Sequence, residues 1–188
     1  MARAFNTDHT FNIEDERWQS WLDWLERDGR RIADYALEKG LYDTAYGFDN
    51  HSIETNFLLL DDAQMREINR DCRGKNAPTN VLSFPQFDTL DELHKTLTHY
   101  SDIDDGPKKP LLLGDIVLSY DTIVREASEE SITMRDHLGH MLVHGILHLL
   151  GYDHQLEAEA EAMERLECDI LHAFGIESPY IRHKPMAY

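Results

Sequence analysis

Apolar residues recur along this chain with two different periods, and the switches between them mark out its elements. Residues 15 to 38 carry Trp18, Trp21, Leu22, Leu25, Ile32 and Leu37 at spacings that mix three and four, which predicts one buried face of a helix. A short strand is expected before it, around residues 9 to 13. The stretch HSIETNFLLLDD then turns β-branched and apolar, and Asp61 or Asp62 can cap a helix over AQMREINRDC. Gly74 and Pro78 break that helix, which places Arg73 in a loop ahead of a new strand, NVLSFPQF, stopped by Pro85.

In the second half, LLLGDIVLSYD reads as a buried strand broken by Gly114, and TIVREASEE as a helix behind it. From residue 131, SITMRDHLGHMLVHGILHLL forms one mostly apolar helix ending at Gly151, a residue suited to a left-handed cap. A last helix over 156 to 173 turns Leu156, Met163, Leu166, Ile170 and Leu171 inward. Between the strands, residues 87 to 110 are acidic, hold only scattered leucines beyond Phe87 and close on DDGPKKP, so an inserted acidic loop is expected there. This order of elements predicts an α+β fold, a mixed β-sheet covered by helices. A length of 188 residues suits a single domain over 1–188.

Charge complicates the functional picture. With 36 acidic against 18 basic residues the net charge is -18, and non-specific nucleic-acid binding usually rests on a basic surface. The acid is concentrated in NIEDERWQSWLDWLERD, DTLDELHKTLTHYSDIDDG and LEAEAEAMERLECD, so a locally basic cleft is compatible with it. The N-terminus has no apolar leader core, and no run of about 18 uncharged apolar residues occurs, so a cytoplasmic protein without a membrane span is expected. Cys72 and Cys168 stand alone and give neither a disulfide framework nor a thiolate cluster.

The chemistry-bearing stretch is VHGILHLLGYDH. On a helix His144 and His148 lie one turn apart on one face, and a reversal at Gly151 can bring His154 to the same point. A pair at this spacing also arises in helices that hold no metal. The full pattern, H-x-x-x-H-x-x-G-x-x-H, is that of metzincin metalloproteases, and it turns the reading toward a metal site. Three imidazoles leave an open fourth position and suit zinc first, though nickel, copper or iron also accept them. Metzincins place a glutamate general base after the first ligand, where this chain has Gly145. A peptidase is therefore disfavoured, and the ion itself or another group must lower the pKa of water toward roughly 7. Asp153 can orient a ligand or simply serve the turn. His140, one helical turn before His144, reads as an outer contact or a packing residue.

Read together, GHMLVHGILHLLGYDH with the acidic EAEAMERLE after it, NRDCRGKNAPTNVLSFPQ and LGDIVLSYD closely resemble the YbeY family of bacterial endoribonucleases, over roughly residues 50 to 180. The resemblance implies a single-strand-specific, metal-dependent ribonuclease that matures the 3′ end of small-subunit ribosomal RNA and takes part in ribosome quality control. It implies one zinc per chain on His144, His148 and His154, and a functional arginine at Arg73. A guanidinium suits that role because its planar fork grips two phosphate oxygens and offsets charge that builds up in phosphoryl transfer, with Lys75 adding a less directional charge. Departures are Asn76 and Asn80, where the family more often has aspartate, and the long connection over 87–110. The expected partners are single-stranded RNA and the ribosome or its proteins. Two other readings stay open: a non-catalytic ribosome-binding assembly factor with a structural metal, which the acidity favours, and a metalloprotease, which Gly145 argues against.

Overall fold

The computed structural model describes residues 6–41, 52–103, 110–152, 157–177 and 179–180. Its architecture is α+β. Strands β1 (Asn6–Ile13), β2 (Ser52–Leu60), β3 (Val81–Pro85) and β4 (Leu111–Ser119) form one sheet in the order β1-β2-β4-β3. β1, β2 and β4 run parallel, while β3 pairs antiparallel with β4 and forms an edge of the sheet. β2 shows why a period of two makes this sheet: Ile53, Thr55, Phe57 and Leu59 are buried and alternate with half-buried neighbours.

The two sheet faces are covered by different helices. On one side Leu58, Val117 and Leu82 stand in register and pack with Met65 and Ile68 of α3 (Asp62–Arg73). On the other, Phe57, Ile116 and Leu118 join the main core with α2 (Arg30–Gly40), α6 (Met134–Leu149) and α7 (Glu157–Ala173). The helical path into α2 is not uniform. A 3-10 segment Glu16–Trp21, the short α1 (Leu22–Trp24) and a π segment Leu25–Gly29 precede it, and they turn Trp18, Trp24 and Leu25 inward.

Helix ends follow local chemistry. Asp61 accepts from the backbone N–H of Gln64 at 2.8 Å, and Gln64 returns a bond to Asp61, a complete capping box for α3. Gly74 closes that helix in the left-handed conformation, φ 70°, with its N–H on the Arg70 carbonyl. Arg73, expected in a loop, is instead the last residue of α3. α5 (Tyr120–Glu129) follows β4, and α6 begins at Met134 rather than 131 because Thr133 caps it through the Asp136 N–H.

The segment 87–110 departs from the expected loop. It carries α4 (Leu90–Ile103), whose Leu90 and Leu93, with Phe87 before them, pack on the main core. The acidic composition hid a short apolar stripe that is sufficient to hold the helix against the protein. α4 starts beside the turn that ends α6, since a Cβ on Gly151 would lie 3.1 Å from the Leu90 backbone nitrogen. No described helix is long and apolar enough to cross a membrane.

Candidate metal centre and substrate cleft

α6 is the most deeply set helix near the site. Leu138, Leu142, Val143, Ile146 and Leu147 are fully buried, each contributing about 1.5–3 kcal/mol of transfer free energy, so the helix is held rigidly on the sheet. From His137 onward the half-buried positions of α6 are His140, His144 and His148, one every four residues. Everything between the members of this stripe is buried.

The two predicted ligands on α6 come together. His144 Nε2 and His148 Nε2 lie 3.0 Å apart. Their other ring nitrogens face oxygen acceptors: His144 Nδ1 is 2.8 Å from Glu167 Oε1, and His148 Nδ1 is 2.9 Å from the Tyr152 carbonyl. A carboxylate and a carbonyl can only accept, so both Nδ1 atoms carry hydrogens, and in the neutral imidazoles that bind metals both Nε2 atoms present lone pairs to one another. Two lone pairs at this distance repel unless a cation or a shared proton lies between them. An outer oxygen behind each imidazole is also the arrangement that fixes ring and tautomer in metal-binding histidines. His154 and Asp153 lie outside the described residues.

The turn that follows α6 supplies the second of these oxygens. Gly151 adopts φ 84°, its N–H bonds to the His148 carbonyl, and Tyr152 N–H bonds back to Leu147. Tyr152 Oη then donates to the Gly40 carbonyl at 2.9 Å, tying the turn to the end of α2.

Glu167 was not among the expected site residues. It is fully buried on α7, with Oε2 3.2 Å from His140 Nε2 and a short hydrogen bond from Tyr180 Oη. Burial alone would push its carboxyl up, but the hydrogen bonds to His140 and His144 outweigh that and hold it down at about 2. The ligand atoms of His140, His144 and Glu167 lie within 4.8 Å of one another, a group able to hold a metal ion. The signal for Glu167 was a charged residue in an apolar stripe, since Met163, Glu167, Ile170 and Leu171 are the buried positions of α7.

Gly145 has a packing reason. A Cβ there would meet Ile116 of β4 at 3.0 Å, and Ser83 Oγ of β3 approaches the Gly145 carbonyl at 3.3 Å. The position where metzincins carry their glutamate is therefore pressed against the sheet, which leaves no room for a carboxylate base.

Arg73 and the histidines share one cleft. A cavity of about 470 Å³ is lined by Arg73, Asn80, Ser83, Asp88, His144 and His148, among others. Its floor is the β3 edge, its far side the α6 turn and its near side the 74–80 loop. That loop is braced by Asn69 Nδ2 donating to the Ala77 carbonyl and Arg66 Nε donating to Asn76 Oδ1. Asn80 Nδ2 donates to Glu126, which also lies 2.8 Å from His137 Nε2. Asn76 and Asn80 thus both serve as hydrogen-bonding braces for the loop.

Comparison with known proteins adds to this geometry. A family model for endoribonuclease YbeY matches residues 8–175. The endoribonuclease YbeY of Paramagnetospirillum magneticum is 47% identical over 128 residues, 68% of this chain and 71% of that protein. The Sphingopyxis alaskensis protein of the same name is 42% identical over 87% of this chain and 91% of its own length. The Allorhizobium ampelinum one is 39% identical over 93% and 95%. With a matching family model over most of its length and relatives this similar, the chain belongs to the YbeY family of endoribonucleases.

Proposed function

We propose that this protein is a zinc-dependent endoribonuclease that cuts single-stranded RNA in the cytoplasm, maturing the 3′ end of small-subunit ribosomal RNA and serving ribosome quality control. The observation that carries the reading is the 3.0 Å approach of the His144 and His148 Nε2 atoms in a cleft that Arg73 also lines. In this reading one zinc ion is held by His144, His148 and His154. The His140, His144 and Glu167 group competes for the same His144, whose Nδ1 already faces Glu167 Oε1 at 2.8 Å, the place of an orienting acceptor behind a metal-bound ring.

Zinc supplies Lewis-acid polarisation of the phosphate and a water of lowered pKa. The chain's own groups do the rest. Arg73 stands exposed at the end of α3, where its fork can donate to two phosphate oxygens and offset the charge that grows on them. Glu167 and the Tyr152 carbonyl fix the His144 and His148 rings by accepting from their Nδ1 atoms.

The reading is tested by incubating zinc-loaded protein with single-stranded and duplex RNA, with and without a chelator. Cutting of the single strand alone, stopped by chelation while the melting temperature moves little, is expected. Cutting that survives chelation sinks the metal mechanism, and a collapse of the melting temperature favours a structural ion.

Glu167→Gln gives a second test. The amide keeps the size of the side chain but weakens the acceptor behind His144, so zinc affinity is expected to fall about 10–100-fold in a competition titration. An unchanged affinity would show that Glu167 only packs α7 against α6.

A further inference from the structure

We propose that the exposed face of α3 is a second RNA-binding surface, outside the cleft, which holds phosphates of the strand flanking the cut. It rests on the RNA-cutting reading. Arg66, Arg70 and Arg73 stand at i, i+4 and i+7 of α3, and Lys75 follows one residue beyond its Gly74 cap. All four are exposed. At about 100° per residue the three arginines fall within roughly 60° of one another, and they span about 10 Å along the axis. The ridge ends in the cleft, because Arg73 lines it.

Packing does not account for these residues. α3 meets the sheet through Met65 and Asn69, and the arginines are exposed on the flank beside that face. Arg66 donates to Asn76 of the 74–80 loop at 2.8 Å. Arg70 bonds to its neighbour Asp71 at 2.8 Å, an exposed pair in which both side chains are more than half accessible. Such pairs are weak and exchange readily for a phosphate.

Charge makes the placement informative. Acidic residues outnumber basic ones twofold in the whole chain, yet residues 66–75 hold four basic against two acidic. At physiological salt, fields decay over about 8 Å, so a strand near the ridge feels those arginines, with Glu67 and Asp71 between them, more than charges further away. A -18 protein can therefore accept RNA along one track and repel it elsewhere.

The test uses the zinc-loaded full chain and Arg70→Gln, alone and with Arg66→Gln. Arg70 is outside the cleft and touches none of its groups, which makes it the clean probe. Two substrates are compared, a trinucleotide that fits the cleft and a single strand of about 20 nucleotides. Arg70→Gln is expected to lower kcat/KM on the long strand about fivefold and to leave the trinucleotide unchanged. The slope of log K against log salt for the long strand should shrink by about 0.7. Equal effects on both substrates, or none on either, overturn the ridge. So does competition by polyglutamate as strong as that by RNA of equal charge, since the surface would then be a general anion patch. If wild type cuts neither substrate, the nuclease reading itself fails, while the salt slope still tests the ridge separately.

Discussion

His148→Ala is expected to remove zinc from the protein and to lower RNA cleavage more than 100-fold, while the fold survives. Loss of an orienting group behind a ligand already costs about 10–100-fold in affinity, and removal of the ligand itself should cost more. The fold should tolerate the change because His148 is half-exposed on the open stripe of α6, and the buried residues around it are untouched. The change removes the bond from His148 Nδ1 to the Tyr152 carbonyl, worth about 0.5–1.5 kcal/mol, a shift of about 1–6 °C in melting temperature for a chain of this size. Metal content by elemental analysis, melting temperature and cleavage are read on the same preparation. A variant that keeps both its zinc and its activity would exclude His148 as a ligand. A variant that unfolds would mean that the histidine pair is structural.

The parts of the site that sequence makes legible share a single element. Helical period and ligand spacing coincide on α6, so His144 and His148 can be placed on one face from the spacing alone, and the structure brings their Nε2 atoms to 3.0 Å. Glu167 comes from a helix 23 residues further on, and no local pattern reports which side chain of α7 will meet α6. Only its position in an apolar stripe marked it as unusual. The cleft is harder still, because it depends on β3 returning antiparallel along the sheet edge, which places Arg73 and the α6 turn on the same cavity. For Arg73 the sequence offered a loop, and the family resemblance offered the role. The loop reading erred by one residue, because α3 runs on to Arg73 before the Gly74 cap. The helix within 87–110 was hidden for a different reason: Leu90 and Leu93, with Phe87 before the helix, pack on the main core, while composition averages them away.

Arg73→Ala is the second large effect expected, about 10²–10³-fold lower cleavage with zinc content unchanged. The magnitude is that of removing one fixed donor aimed at charge developing in a transition state. It separates chemistry from metal binding, because Arg73 shares the cleft with the histidines and is placed by a different element, the exposed end of α3. Arg73→Lys should recover part of the loss, since an ammonium restores the charge without the planar fork. If lysine restores nothing, paired donation to two oxygens is what the site needs; if it restores everything, a point charge suffices. Stability should move little in both variants, because the guanidinium is exposed and its helix-end position is worth only about 0.3–1 kcal/mol. Zinc loss in Arg73→Ala would contradict the division of labour, because no Arg73 contact reaches the oxygens behind His144 or His148. Full activity in Arg73→Ala would remove the arginine from the mechanism and return the phosphate to other donors on the cleft wall.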